Sequence, residues 1–418
     1  METVRARFGE FPWMAVLVVV ALAAFTRSAT LIVLSATGLA AWALVEVTGR
    51  LALVALEVEA TLEPRRLVAG EIATLTVRVT NRKPVPVPWM DLRIELPEGI
   101  APPRREPGMP VSSVGASFAP RARERLVLRF PLEVAQRGAY VVGPMKVRAG
   151  DWLGFVQEER PLPLALEIVA HPAPAGVVDR HLASLRPVAE SAMRRGLVPD
   201  PLRFRGVRQY RGGDPVKEIH WKTSARLGEL QTKVYEPATS LDAVFLVNVA
   251  SYDQYWVQVD PDGAELVIAA SAELVRLAGE AGRQVGLITN GLDNLTHERP
   301  RSALSRGPRA LTRCLDILAR LGPYAGAAPE TVFLKERGRL PSGATLIAVT
   351  PNLPPRLVAA LVVLRRSGHR VLAITKDMPE PGVSSHARAA DVSVVVLDAA
   401  IRARPGGPGE GKAWRRAS

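Results

Sequence analysis

One cysteine, Cys314, among 418 residues excludes an intramolecular disulfide. The six histidines are scattered, so no Cys/His cluster stands at zinc-ligand spacing and a structural zinc site is not expected. Aromatic residues make up only 5% of the chain, too few for the stacking platforms that hold single-stranded nucleic acid, and no nucleic-acid partner is expected. The phosphate-cradling Gly-x-x-x-x-Gly-Lys-Ser/Thr loop does not occur, nor do His-Glu-x-x-His or Gly-x-Ser-x-Gly. ATP hydrolysis through a P-loop, zinc proteolysis and α/β-hydrolase chemistry therefore have no support in the sequence. Cys314 falls within an amphipathic helical pattern and reads as a small buried hydrophobe rather than a nucleophile. No cofactor is expected.

What the chain has in abundance is apolar residues, at 48%, and positive charge, with 54 Lys+Arg against 41 Asp+Glu for a formal +13. That surplus points to an anionic neighbour. The apolar share is concentrated near the start, where FPWMAVLVVVALAAF (11–25) and a second run over 29–47 flank the polar break Thr26-Arg27-Ser28. A bilayer crossing takes roughly 20 apolar residues and about 17 at the short end. Spans over about 11–27 and 29–47 are predicted to form a transmembrane helical hairpin. A cleaved signal peptide is the rival reading, which the second run opposes by acting as a stop-transfer anchor. Arg5 and Arg7 precede the hairpin and Arg50, Arg65 and Arg66 follow it, so the positive-inside tendency puts both ends in the cytoplasm of a two-pass membrane protein. Membrane phospholipid is then the default neighbour of the basic surplus.

Downstream the apolar period changes twice. Over 55–170 it is two: Leu75, Val77 and Val79, then Leu92, Ile94 and Leu96, then Leu126, Leu128 and Phe130 alternate with polar residues between Pro- and Gly-rich turns. This predicts an antiparallel β-sandwich of immunoglobulin-like type. A proline-rich connector follows over 171–204. Over 240–400, short continuous apolar runs (AVFLVNV, VGLIT, TLIAVT, RVLAIT, VSVVVL) alternate with helical patterns such as 264–281, 311–321 and 357–366, which predicts a doubly wound α/β domain. The stretch 401–418 reads as a disordered basic tail.

Between connector and α/β domain, the span 203–236 carries eight basic residues (Arg203, Arg205, Arg208, Arg211, Lys217, Lys222, Arg226, Lys233) against four acidic ones (Asp214, Glu218, Glu229, Glu236). Gly212-Gly213-Asp214-Pro215 is a turn by composition, and Ile219 and Trp221 alternate as a strand would, with Trp221 large enough to anchor a core. Within 205–236, residues Arg208, Tyr210, Gly213, Asp214, Ile219, Trp221, Ala225 and Arg226 form an Arg-x-Tyr-x-x-Gly-Asp turn followed by an Ile-x-Trp-x-x-x-Ala-Arg run. This pattern resembles the signature of the membrane-anchored bacterial family called domain of unknown function 58. Gln136 to Pro144, with Gly150-Asp151 and Gly154-Phe155, is similar to strands upstream in that family, except that Trp152 stands where proline is common.

The resemblance implies a von Willebrand factor A-like domain and an association with MoxR-type AAA+ ATPases, without an established activity. Cation-binding A domains carry an Asp-x-Ser-x-Ser loop after the first strand. Here that loop has Asn248, Ala250 and Tyr252, and Thr350-Pro351-Asn352 lacks the later carboxylate, so a degenerate, metal-free loop is expected. Arg208, Asp214, Trp221 and Arg226 read either as a weld, through an Arg–Asp pair and a buried indole, or as a docking surface. The resulting expectation is a two-pass protein of the bacterial inner (plasma) membrane that serves as a non-enzymatic adaptor or scaffold for a MoxR-type ATPase in envelope assembly or maturation. The alternatives are a cation-dependent receptor and an enzyme using Asp214 or His220. Oligomeric state is not legible.

Overall fold

The computed structural model describes residues 4–7, 13–26, 29–103, 111–152, 156–173, 197–212, 216–239 and 242–397. The structure divides into two units, 1–171 and 172–418.

The first unit opens with strand β1 (Val4–Arg7), followed by helices α1 (Trp13–Thr26) and α2 (Ala29–Leu51), which contact one another. The two apolar runs are thus both helical. At 14 residues, α1 is about 21 Å long, short of the roughly 30 Å of hydrocarbon that a span must cross. Among the described residues, α2 alone is long and apolar enough to cross a membrane, as an anchor or as a signal sequence. Its C-terminal end is held by Lys83, whose ammonium donates to the carbonyls of Leu51 and Ala52. The Leu51 carbonyl also accepts from the Val54 N–H, so a turn and an ammonium together satisfy the helix end.

Eleven further strands follow: β2 (Leu56–Glu63), β3 (Arg66–Val68), β4 (Ile72–Asn81), β5 (Trp89–Glu95), β6 (Ile100–Ala101), β7 (Ser113–Phe118), β8 (Arg125–Val134), β9 (Gly138–Val142), β10 (Met145–Gly150), β11 (Val156–Leu162) and β12 (Leu166–His171). They form sheets ordered β1-β11-β10-β5-β7, β2-β4-β8-β6 and β3-β12-β9. Every pairing is antiparallel except β3 with β12. The predicted period of two is realised on β4, where Leu75, Val77 and Val79 are buried and join Leu92 and Ile94 of β5 and Val147 of β10 in one core. β1 pairs with β11.

In the second unit β13 (Leu197–Gln209) pairs antiparallel with β14 (Gln231–Thr239), with helix α3 (Trp221–Leu227) between them. β13 begins inside the stretch read as a connector. Its pairing slips between Pro199 and Phe204, as suits a strand whose prolines cannot donate to a ladder. The larger sheet contains β15 (Asp242–Val247), β16 (Gln284–Thr289), β18 (Arg301–Ser305), β20 (Thr345–Thr350), β21 (Arg370–Thr375) and β22 (Ser393–Val396). Its order is β18-β16-β15-β20-β21-β22, parallel except for the edge strand β18. β17 (Gly291–Asp293) and β19 (Leu321–Ala325) pair separately. Helices α4 (Pro261–Glu280) and α5 (Pro308–Arg320) pack on one face, while α6 (Pro329–Lys335), α7 (Pro355–Arg366) and α8 (Pro381–Ala389) pack on the other. Apolar cores on both faces make the central strands continuous apolar runs, and all six residues of β20 are buried.

Candidate functional site

In an open α/β sheet the natural ligand crevice lies beyond the carboxyl ends of the strands, where the strand order reverses. Here that point is β15, flanked by β16 and β20. The loop after β15 supplies Asn248, which is 1% exposed. Its Oδ1 accepts from the Ala250 N–H at 2.9 Å and from Asn290 Nδ2 at 2.7 Å. Its Nδ2 donates to Thr350 Oγ1 at 2.8 Å and to the Ala250 carbonyl at 3.1 Å. Both amide hydrogens and both acceptor positions are therefore engaged within the protein. Asn290 Oδ1 accepts from Val249 N–H at 3.0 Å, Thr350 Oγ1 donates to the Asn352 carbonyl at 2.5 Å, and Asn352 Nδ2 donates to the Ser251 carbonyl at 2.7 Å.

This network turns three loops into one rigid edge and leaves no side-chain carboxylate at its centre. A hard divalent cation draws its ligands from oxygens, commonly carboxylates. The Asn248 amide oxygen, the atom that could replace one, already accepts two hydrogen bonds and would have to give them up to meet a cation. The crevice beside the network, bordered by Asn248, Tyr252, Glu330, Asn352 and Arg356, has a volume of about 20 Å³, room for a water but not for an organic ligand. Among the described residues no group of three His, Cys, Asp or Glu side chains could hold a metal ion.

A second bond ties the same edge together. Asp260 caps α4, accepting from the Gly263 N–H at 3.0 Å and from Lys376 Nζ, just after β21, at 3.0 Å. Burial pushes the Asp260 carboxyl up, but the Gly263 N–H and the Lys376 ammonium outweigh it and hold the group below its ordinary value.

The signature residues occupy the hairpin instead. Ile219 is buried and bridges to Thr232, while the Tyr210 N–H donates to the Leu230 carbonyl at 2.8 Å. Arg208 on β13 is exposed and donates to the Gln209 carbonyl at 3.1 Å. Gly213 and Asp214 lie outside the described residues.

Trp221 corrects the expectation of a buried indole: it opens α3 and is 63% exposed. The alternation that suggested a strand ends at Ile219, because His220 becomes the N-cap of a helix, its Nδ1 accepting from the Thr223 N–H at 3.1 Å. That bond also occupies the ring nitrogen that a base at His220 would use. Ser224 completes the local lock, its hydroxyl donating to the His220 carbonyl and accepting from the Gln231 N–H. Ala225 and Arg226 are exposed, and α3 ends at Gly228, whose φ of +72° is the left-handed cap.

Sequence reasoning missed the company Trp221 keeps. Val216, Leu227 and Leu230 of the same segment are also exposed. Lys222 and Arg226 lie on one face of α3 at i and i+4. It also missed Asn290, which nothing in the sequence marks as the fourth member of the Asn248 network.

A family match falls on this region. Residues 206–343 match the family model described as "Protein of unknown function DUF58". An uncharacterised protein of Bacillus subtilis (strain 168), YeaD, is 24% identical over 238 residues, which is 55% of this chain and 54% of that protein. The chain thus spans about half the length of the curated relative it matches. Among solved structures, the sporulation control protein Spo0M of Bacillus subtilis is 15% identical over 38% of this chain and 58% of its own, with a TM-score of 0.18. A Salmonella alpha-2-macroglobulin mutant is 12% identical over 76% of this chain and 20% of its own, with a TM-score of 0.22. Neither overlap carries an argument about fold or function. The span that the DUF58 model matches runs from within β13 to the loop before β20 and includes the Trp221 helix and the Asn248 loop.

Proposed function

We propose that the chain is a membrane-anchored, non-enzymatic adaptor or scaffold that presents the α3 hairpin to a protein partner, a MoxR-type AAA+ ATPase acting in envelope assembly or maturation. The observation that carries this reading is the exposed Trp221, with Val216, Leu227 and Leu230 exposed beside it in one short segment. An indole brings roughly 150–250 Å² of burial to a contact and is a recurrent centre of protein interfaces. Surrounding Arg208, Arg211, Lys222 and Arg226 suit an acidic partner face. The partner class comes from the family resemblance.

Three finer readings belong to the same proposal. The α/β sheet is A-like, supported by its strand order with the antiparallel edge strand β18, and the first unit is an immunoglobulin-like sandwich, supported by the one apolar core that its sheets share. α1 and α2 form a two-pass hairpin with the soluble domains in the cytoplasm. Support for the hairpin is that β1 before it and β2 after it both belong to the first unit's sheets. A reporter fused after Ser418 that is active only outside the cytoplasm reverses this topology.

The test of the adaptor reading is binding of a purified MoxR-type ATPase to the full-length protein in lipid nanodiscs. Binding that is lost in Trp221→Ala and in the Lys222→Glu/Arg226→Glu double variant supports the reading. No binding, or binding indifferent to these changes, refutes it.

A further inference from the structure

A cavity of about 460 Å³ opens on the α/β sheet, away from the crevice at the strand ends. Its origin is a mismatch of lengths. Helix α6 has seven residues and is about 10 Å long, whereas the six-residue strands β15 and β16 beneath that face run about 20 Å. The part of the sheet left open is floored by Val244, Gly286, Ile288 and Leu304. Gly286 adds no side chain, and Val244 and Ile288 continue the apolar core under α6 and α7.

The rim has the opposite chemistry. Arg301, Arg313 and Arg339 border the cavity with a single acid, Glu336. Glu336 lies between two of the arginines, accepting from Arg301 Nη1 at 3.2 Å and from Arg339 Nη1 at 3.0 Å. Glu336 thereby draws Arg301 and Arg339 together at the mouth. Arg313 has no ion-pair partner among the described residues. The lining therefore carries a formal +2 over an apolar floor.

From this juxtaposition we infer that the cavity binds an aliphatic phosphomonoester, with the alkyl chain on the sheet and the phosphate among the three guanidinium groups. A phosphomonoester carries about −1.5 to −2 at neutral pH, which matches the rim, and guanidinium forks suit phosphate oxygens. The volume lies in the range, roughly 300–1,000 Å³, of small-molecule sites. All of the lining residues fall within the DUF58 span.

The experiment is calorimetric titration of the full-length protein in phosphatidylcholine nanodiscs with octyl phosphate, subtracting empty nanodiscs. One saturable site per chain is expected. Octanol, inorganic phosphate and octanoate serve as arms lacking the head, the chain and the second negative charge, and each is expected to bind at least about tenfold more weakly. Arg313→Gln, an exposed and unpaired position, is expected to weaken octyl phosphate by roughly tenfold with an unchanged melting temperature. Arg301→Gln serves as the second variant. The inference is overturned if no heat remains above the empty discs, if octanol, inorganic phosphate or octanoate binds as tightly as octyl phosphate, or if both variants keep the original affinity. Trp221→Ala leaves this binding intact, which separates its outcome from that of the adaptor reading.

Discussion

The substitution Asn248→Asp restores the carboxylate that a cation-binding loop would carry, and the structure argues that it destabilises the protein instead. Asn248 Nδ2 donates two hydrogen bonds, to Thr350 Oγ1 and to the Ala250 carbonyl. An ionised aspartate donates none. The Thr350 hydroxyl can rotate to serve the new oxygen, but it then abandons the Asn352 carbonyl, to which it donates at 2.5 Å. Two buried acceptors therefore lose their donors either way, at about 1–3 kcal/mol each. One carboxylate oxygen also faces the Ala250 carbonyl with no cation between them. The expected loss is about 3–5 kcal/mol of unfolding free energy, measured by urea denaturation of the full-length protein at neutral pH.

The pH dependence has a definite sign. Burial among carbonyls raises the aspartate's folded pKa, so the variant's deficit is smaller below about pH 4, where the acid is protonated in both states. The deficit grows as pH rises through the folded pKa. Magnesium or calcium at millimolar concentration is expected to leave it unrepaired. A variant as stable as the parent, or one that recovers its stability with a divalent cation, would falsify the claim that the Asn248 network is closed.

Other consequences are simpler. Trp221→Ala, at an exposed site, should change unfolding free energy by less than about 0.5 kcal/mol, and a loss well above that would return the indole to a structural role. Asp260→Asn keeps the cap, because an amide oxygen accepts from the Gly263 N–H equally well, and should cost about 0.5–1 kcal/mol through loss of the Lys376 pair. Asp260 lies below its ordinary 3.8, so the stability it confers is present above that pH and lost as pH falls through the folded value; the variant's acid-denaturation curve should lack that component. Burial lowers His369 below its ordinary 6.5, so its contribution is complete above that pH and is lost as pH falls towards the folded value; His369→Leu should flatten stability across that interval. Burial pushes the Cys314 thiol up to about 11, so modification by a disulfide reagent should track unfolding, and fast labelling of the native protein would contradict its place in the core.

Where a side chain's environment repeats with the backbone period, the sequence was a sufficient guide. Leu75, Val77 and Val79 alternate in sequence and are buried together, and AVFLVNV and TLIAVT are central strands because only a strand covered on both faces is apolar at consecutive positions. The edge strand β18 reads RSALS and was missed, since its pairing to β16 depends on a partner distant in sequence rather than on its own pattern. Trp221 was misread for a related reason. The Ile-x-Trp alternation is genuine, but the His220 cap two residues after Ile219's neighbour Glu218 converts the chain to helix and turns the indole outward.

By itself the sequence determined the elements and their classes: apolar helices near the start, a β-rich region, an α/β region and a signature segment between them. These follow from local composition and from periods of two and 3.6, which act over a few residues. It also fixed that Asn248, Ala250 and Asn352 are not carboxylates. Only tertiary structure decided what replaces the missing charge, namely a closed amide network completed by Asn290 and Thr350, 42 and 102 residues away. It alone decided that Trp221 faces solvent and that a helix too short for its sheet leaves an arginine-rimmed cavity. Such outcomes depend on which distant groups meet, and no local pattern encodes a meeting between residues so far apart in the chain.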